Sequence, residues 1–422
     1  MHNSRNTNCS NRQPNCRICD QRLHQFIDLG KHPRADSYRR PDDQSPELMF
    51  ELKVGVCESC QLVQLIDEVP PEMMFNADYP FRTSSSQRMQ QHFRETALEI
   101  LDFERHADSA PFIVEFGCND GTFLEPFAKL GLMHLGIDPA SNLVSEAVDR
   151  GVNAKTGWFN TDTAAEILES ARSATVIYAA NTLCHISDLA SVFKGVDLLL
   201  TEDGRFIFED PYLGDIVTNC AFDQIYDEHI YYFSATSIDL ISRKFGMKLI
   251  DVEHLGTHGG QLRYTVGRQH QTPSLSVLDF IENERRAGLH SVRSLKEFAQ
   301  TVEIRRSELP KILRELASAG KTIAGYAATA KSSTVLNYCG IDRNLLPVIY
   351  DTTPEKQGYL TPGTGIPIEP FPQRIGDYPD IYLLFAWNHE EEIISRESAF
   401  RAQGGTWLKF VPNVTLSFDP SL

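Results

Sequence analysis

From Phe112 onward the chain alternates short apolar runs with amphipathic stretches, and this alternation limits the fold more than any other feature. PFIVEFGCNDG is an apolar run closed by a Gly turn, and FLEPFAKLG after it has helical spacing. MHLGIDPA and SNLVSEAVDRG repeat the unit, and ATVIYAAN and GRFIFEDP extend it with helical text between them. Strands that recur with helices between them predict a parallel sheet wrapped by helices. LRYTVGR reads as the final, antiparallel strand of that sheet. A second βα series begins at KTIAGYAATA and continues through LLPVIYDTT, DIYLLFAWN and WLKFVPN. The expected fold class is therefore α/β, with two Rossmann-like domains.

The remaining text divides the chain further. Residues 1–15 are polar and are expected to be disordered. Residues 16–75 are short-stranded and turn-rich and form a separate module. The first α/β domain takes 76–268; its opening helix, in SSSQRMQQHFRETALEILDF, carries Met89, Phe93 and Ile100 at helical spacing. Residues 269–318 are a charged helical connector with an intermittent apolar stripe, which Pro310 is expected to break. Residues 319–422 make the second Rossmann-like domain.

Cys16 and Cys19 form one C-x-x-C pair, and Cys57 and Cys60 form another. Thiolates so spaced on tight turns face one ion, and two such knuckles complete a tetrahedral zinc site. A redox pair is disfavoured because both pairs precede the βα region. A site closed by four cysteines leaves no position for substrate, so the zinc is structural. With few large apolar residues nearby, the metal is expected to supply folding free energy.

The net charge of −17 argues against a nucleic-acid partner, since such binding rests on Lys and Arg neutralising phosphates. No stretch reaches the roughly 18 apolar residues of a membrane span. The polar N-terminus lacks a signal-peptide pattern, so a cytoplasmic location is expected. Nothing in the sequence sets the oligomeric state, and a monomer is compatible with it.

Glu115-Phe-Gly117-Cys118-Asn119-Asp120-Gly121 follows a buried strand and opens a helix. It is neither the dinucleotide G-x-G-x-x-G nor a Walker loop. Asp138 ends the next strand, where a carboxylate accepts hydrogen bonds from ribose hydroxyls. An acidic turn of this kind suits a cationic cofactor without phosphate, such as S-adenosylmethionine. The competing reading is a Gly turn that serves packing alone.

EFGCNDGTFL, GIDPA and AANTLCHISDL resemble the cofactor domain of class I methyltransferases, and specifically of sugar C-methyltransferases. The resemblance runs nearly end to end, through the C-x-x-C pairs, DYPFRTSSS, FDQIYDEHIYYFS, THGGQLR, GYAATAKSSTVLN, EKQGYLTPGTGIPI and LLFAWNHEEEI. It implies a class I methyltransferase domain with an N-terminal zinc-binding module and a second Rossmann-like lobe. It further implies S-adenosylmethionine as cofactor and a nucleotide-linked 4-keto deoxysugar as substrate, methylated beside the ketone. Asn181 joins Glu115, Gly117, Asn119, Asp120, Gly121 and Asp138 as cofactor-binding residues.

Methylation at carbon requires removal of a weakly acidic C–H proton and stabilisation of the enolate. By resemblance His229 is the general base and Glu228 its neighbour at the substrate. Tyr226, Tyr79 and His185 would steady the keto or enolate oxygen. Read without the resemblance, Tyr79 could pack a domain junction and His185 could cap a helix near Ser187. The family usually has a second His where this chain has Asp227. In the second lobe Lys331 and Ser332 lie at a helix start, which favours anions. With His258 and Gly259 they are assigned to the substrate's diphosphate. Trp387 and Asn388 end a strand near the same cleft. Two other readings are an O- or N-methyltransferase and a non-catalytic zinc-module scaffold.

Overall fold

The computed structural model describes residues 14–75, 79, 81–104, 110–374 and 376–417. The expected disorder of residues 1–15 falls, for 1–13, outside the described residues.

The N-terminal sheet contains β1 (Leu23–Pro33), β2 (Met49–Cys57) and β3 (Val63–Leu65). DLGKHP, within the turn-rich text of residues 16–75, predicts turns. Instead β1 runs across it, because Leu23, Phe26, Ile27 and Leu29 are buried against β2, with a register shift between Gln25 and Ile27. A register shift between Asp28 and Lys31 takes up Gly30.

The central sheet uses β4 (Phe112–Phe116), β5 (Met133–Asp138), β6 (Ala154–Thr156), β7 (Ala174–Ala180) and β8 (Leu200–Pro211). A two-residue strand, β9 (Tyr231–Tyr232), then leaves this sheet and pairs with β3. The chain returns as β10 (Met247–Leu255) and β11 (Gln261–Arg268), giving the order β10-β11-β8-β7-β4-β5-β6. Strands β4 to β8 pair in parallel, and β11 and β10 add antiparallel. LRYTVGR is thus antiparallel as expected but lies inside the sheet, with β10 at the edge. Every residue of β4 is buried, as a strand covered on both faces requires. Burial of each large side chain contributes roughly 1.5–3 kcal/mol.

The strand order reverses between β4 and β7, so the crevice for a ligand opens at their carboxyl ends. The flanking helix α1 (Gln87–Glu104) buries Met89, Phe93 and Ile100, as its spacing predicted. The sheet's other helices fill the crossovers between its strands.

The third sheet has the order β14-β13-β12-β15-β16-β17, formed by β12 (Ile323–Tyr326), β13 (Ile349–Tyr350), β14 (Ile368–Glu369), β15 (Ile381–Leu384), β16 (Thr406–Lys409) and β17 (Thr415–Ser417). It is parallel except for β17. Its own switch point falls between β12 and β15. The 27-residue helix Val292–Ser318 passes through Pro310 unbroken, contrary to expectation. A proline inside a helix costs about 3 kcal/mol. Burial of Leu295, Phe298, Val302, Leu309 and Leu313 along one face offsets it.

Candidate active site and metal centre

The four predicted cysteines converge. Sγ of Cys16 lies 3.5 Å from that of Cys60, and Cys19 lies 3.3 Å from Cys57 and 3.7 Å from Cys60. Four ligands at a Zn–S distance of about 2.3 Å stand about 3.8 Å apart in a tetrahedron, so these thiols fit one zinc ion. Hydrogen bonds from Cys57 and Cys60 hold the Cys16 thiol well below the ordinary range, which favours the thiolate that ligates metal. Gln64 donates to Cys16 Sγ at 3.2 Å, an outer hydrogen bond of the kind that tunes metal thiolates. No local motif marks Gln64 for this role.

At the central crevice Gly117 has φ +69°, a left-handed conformation that only Gly adopts freely. Asp138 is buried and accepts from Asn119 N at 2.8 Å and Ala140 N at 2.9 Å. Burial raises its pKa while those two bonds oppose the rise. Glu115, at the end of β4, is buried with its Oε2 lacking any partner among the described residues. Burial first, then Asp138 and Asp120, push its carboxyl far above the usual range. A buried carboxylate with an orphan oxygen beside a second acid and an open glycine turn suits S-adenosylmethionine, whose ribose hydroxyls donate and whose sulfonium is cationic.

The side chains of Asn119 and Asp120 make hydrogen bonds of their own within the protein. Asn119 Oδ1 accepts from Thr83 N at 2.9 Å. Asp120 accepts from Ser84 N at 3.1 Å and Thr122 Oγ1 at 2.6 Å, and pairs with Arg150 at 3.2 Å. These two side chains clamp segment 81–84 over the loop. Gly121 likewise answers to packing, since a Cβ there would lie 2.9 Å from that of Ala147. Asn181, with φ +50°, takes a hydrogen bond from Gln261 on its side-chain oxygen.

Beyond β8 the loop carrying Tyr226 to His229 folds back to the same edge. His229 Nδ1 donates to the Gln224 carbonyl at 2.9 Å, which leaves Nε2 as the acceptor of the Tyr226 hydroxyl at 2.9 Å. Burial, then His185 and Lys331, keep His229 well below the usual imidazole range, so it is neutral, with its lone pair on Nε2. The His185 ring lies 5.2 Å from that of His229 and stacks on Phe75 at 5.4 Å. Burial pushes its pKa down to about 4. It does not cap a helix: the helix Leu189–Leu199 begins later, with Asp188 accepting from Ser191 N. Tyr79 packs on Phe75 at 5.3 Å, and burial followed by Glu228 raises its hydroxyl pKa.

Glu228 is buried, and burial, then Asp36 and Asp227, push it well above the carboxylate range, against Arg34 and Lys356. Asp227, pushed up to about 7 by burial, accepts from Ala35 N at 3.0 Å. The zinc module therefore forms one wall of this pocket, through residues 34–36. Sequence reasoning missed these contacts, because a backbone N–H and a distant arginine leave no local motif.

The third sheet supplies another wall. Thr334 Oγ1 donates to Ile225 O at 2.7 Å, tying that sheet's first helix (Ala330–Cys339) to the active-site loop. Lys331 Nζ is buried without a hydrogen-bond partner among the described residues and lies 5.6 Å from the Trp387 ring centroid. Trp387 Nε1 donates to Asp223 at 2.7 Å. The His258 ring is half-buried there, its pKa pushed down to about 3 by desolvation and then Lys331. Gly259 faces Trp387 so closely that a Cβ would meet the indole at 2.3 Å. Ser332 turns away: its hydroxyl donates to Thr329 O at 2.6 Å, and its N–H is taken by the Thr329 side chain. Asn388 follows Trp387 in a short turn outside this contact.

A doubly wound sheet with an acidic cofactor turn, a histidine loop at its carboxyl edge and a four-thiolate zinc site defines a zinc-bearing, S-adenosylmethionine-dependent methyltransferase. Family comparisons agree: residues 88–252 match a methyltransferase domain, 16–75 a zinc binding domain and 256–412 the C-methyltransferase C-terminal domain. The C-methyltransferase NovU of Streptomyces niveus is 35% identical over 404 residues, spanning 94% of this chain and 95% of that protein. The chain belongs to this family of C-methyltransferases.

Two solved structures overlap part of the chain. Magnesium protoporphyrin IX methyltransferase from Synechocystis PCC 6803 with bound SAM is 13% identical, covers 43% of this chain and 79% of its own, and has a TM-score of 0.32. An SAM-dependent methyltransferase from Anabaena variabilis is 15% identical, covers 43% and 93%, and has a TM-score of 0.33. Neither adds to the assignment at those scores. Among the described residues no helix is long and apolar enough to cross a membrane.

Proposed function

We propose that the protein methylates carbon beside the ketone of a nucleotide-linked 4-keto deoxysugar, with His229 Nε2 as the general base. The observation that carries this reading is the tautomer of His229. A carbonyl acceptor on Nδ1 fixes the lone pair on Nε2, and that nitrogen faces the Tyr226 hydroxyl at the carboxyl edge of the sheet.

Bound S-adenosylmethionine would supply the electrophilic methyl group, held by Glu115 and Asp138 at the central crevice. His229 takes the C–H proton next to the ketone. The Tyr226 hydroxyl, freed from Nε2 as the imidazole becomes charged, donates to the developing enolate oxygen. Tyr79 and His185 line the same space. Glu228, whose protonated form burial favours, donates to a sugar oxygen. Lys331, His258 and the Gly259 backbone take the diphosphate, because a buried ammonium without a hydrogen-bond partner favours an anion. Burial of Tyr226, Glu228 and His229 keeps water from the enolate.

Solvent deuterium exchange at the acceptor carbon, with the cofactor replaced by S-adenosylhomocysteine, tests the reading. Wild-type enzyme should exchange and H229A should not. Absence of exchange in the wild type, with methyl transfer intact, would point to an oxygen or nitrogen acceptor.

A further inference from the structure

A second cluster of soft donors lies outside the zinc module. The ligand atoms of Cys184, His185 and His229 all stand within 4.8 Å of one another. We propose that these three side chains form a second, lower-affinity zinc site, open at its fourth position, whose occupation shuts the enzyme down.

Three features of the fold point to metal. First, the donors are one thiol and two imidazoles, the set that selects zinc and its soft neighbours over magnesium or calcium. Second, His229 donates Nδ1–H to the Gln224 carbonyl, the outer hydrogen bond that metal-binding histidines nearly always make. Nε2 is thereby aimed inward. Third, His185 Nε2 is shielded from water and has no hydrogen-bond partner among the described residues, so a metal would satisfy a nitrogen that the protein itself leaves bare.

The two segments are tied together, with Ile230 N donating to Cys184 O at 2.7 Å. Asp210, at the end of β8, accepts from Cys184 N at 3.4 Å, and its carboxylate interacts with the Cys184 thiol. It stands behind the thiol as a carboxylate able to take the proton released when the thiolate binds metal. Donors around a tetrahedral zinc stand about 3.3–3.8 Å apart. His185, carried on a single helical turn and free of hydrogen bonds at Nε2, can close the difference by side-chain rotation. Zinc on His229 Nε2 would displace the Tyr226 hydroxyl. The inhibition, unlike the binding, rests on the base role proposed above for His229.

Cobalt and zinc titration of the purified protein, starting with one zinc per chain, decides the matter. A second equivalent should bind, and cobalt there should give a thiolate charge-transfer band in the near ultraviolet. C184S should abolish that band, and H185Q, which removes a partner-free ring nitrogen and preserves the thiol, should weaken the second equivalent more than tenfold. Methyl transfer should fall as the second equivalent fills in wild type, with that sensitivity shifted by the same factor in H185Q. Stoichiometry that stays at one, or a second equivalent unaltered in both variants, would overturn the proposal. Binding without inhibition would uphold the site and count against His229 as the base.

Discussion

Gly117→Ala separates the two physical demands made at the cofactor turn. The backbone there has φ +69°, where an L side chain costs roughly 1–2 kcal/mol. The new Cβ would also sit 2.1 Å from Thr182 Oγ1, 2.7 Å from its Cγ2 and 2.9 Å from its Cβ. Thr182 is not free to swing away, because its hydroxyl donates to Ala180 O at 2.9 Å. Overpacking of this kind costs about 1–3 kcal/mol. The sum, about 2–5 kcal/mol, corresponds to a fall of roughly 5–15 °C in Tm for a domain of this size, with weaker S-adenosylmethionine binding.

The cycle with Thr182→Ala isolates the second demand. T182A alone loses one hydrogen bond, about 0.5–1.5 kcal/mol. In the double variant the contacts at 2.1 and 2.7 Å vanish while the backbone strain and the Cβ contact remain. Denaturant unfolding should therefore show a favourable coupling of about 1–2 kcal/mol. Additivity within about 0.5 kcal/mol, the level expected of independent sites, would refute the steric part. A G117A variant as stable as wild type would refute both parts.

Asp138→Asn leaves one acceptor oxygen for the Asn119 and Ala140 N–H groups and removes the charge, so calorimetry should show S-adenosylmethionine affinity falling at least about tenfold; a change under twofold would exclude Asp138 from the cofactor site. Cys57→Ser, or a strong chelator, should release the zinc, and hydrogen exchange should show protection lost across residues 49–65 before the central sheet opens. Retention of that protection in metal-free protein would show that the sheet's own core suffices. Thr334→Val removes the bond to Ile225 O that holds the active-site loop against the third sheet; it should cost about 1 kcal/mol and slow turnover several-fold with cofactor affinity unchanged, as steady-state kinetics and calorimetry can check.

The alternation from Phe112 to Pro211 translated directly into β4, β5, β7 and β8, because strands covered on both faces must be largely apolar, whereas the short polar strand β6 carried no such signal. The cysteine pairs were legible for a related reason: ligand spacing on a tight turn is local chemistry. Helical spacing likewise found the buried face of α1. Pro310 misled, since its penalty is local while the apolar face that outweighs it spans some twenty residues. The turns expected in DLGKHP gave way to β1, whose burial depends on β2 lying beside it.

Within the site, sequence supplied residue types but not their employment. Asp120 and Asp138 are both acids of the cofactor region, yet one clamps segment 81–84 and the other faces the crevice. Ser332 and Lys331 are neighbours, yet Ser332 bonds to Thr329 while the Lys331 ammonium has no hydrogen-bond partner among the described residues. The lone pair on His229 is set by the Gln224 carbonyl, a group every residue carries, which no motif can mark.

The βα order and the zinc ligands were thus determined by the sequence alone, since each follows from which side chains must leave water or bind metal within a short stretch. The union of three sheets around one pocket was decided only in the folded chain. β9 pairs with β3 across more than 160 residues, Asp227 takes the Ala35 N–H, and Thr334 holds Ile225. Such contacts are chosen by which surfaces remain unburied once the local elements exist, and that is a property of the assembled structure.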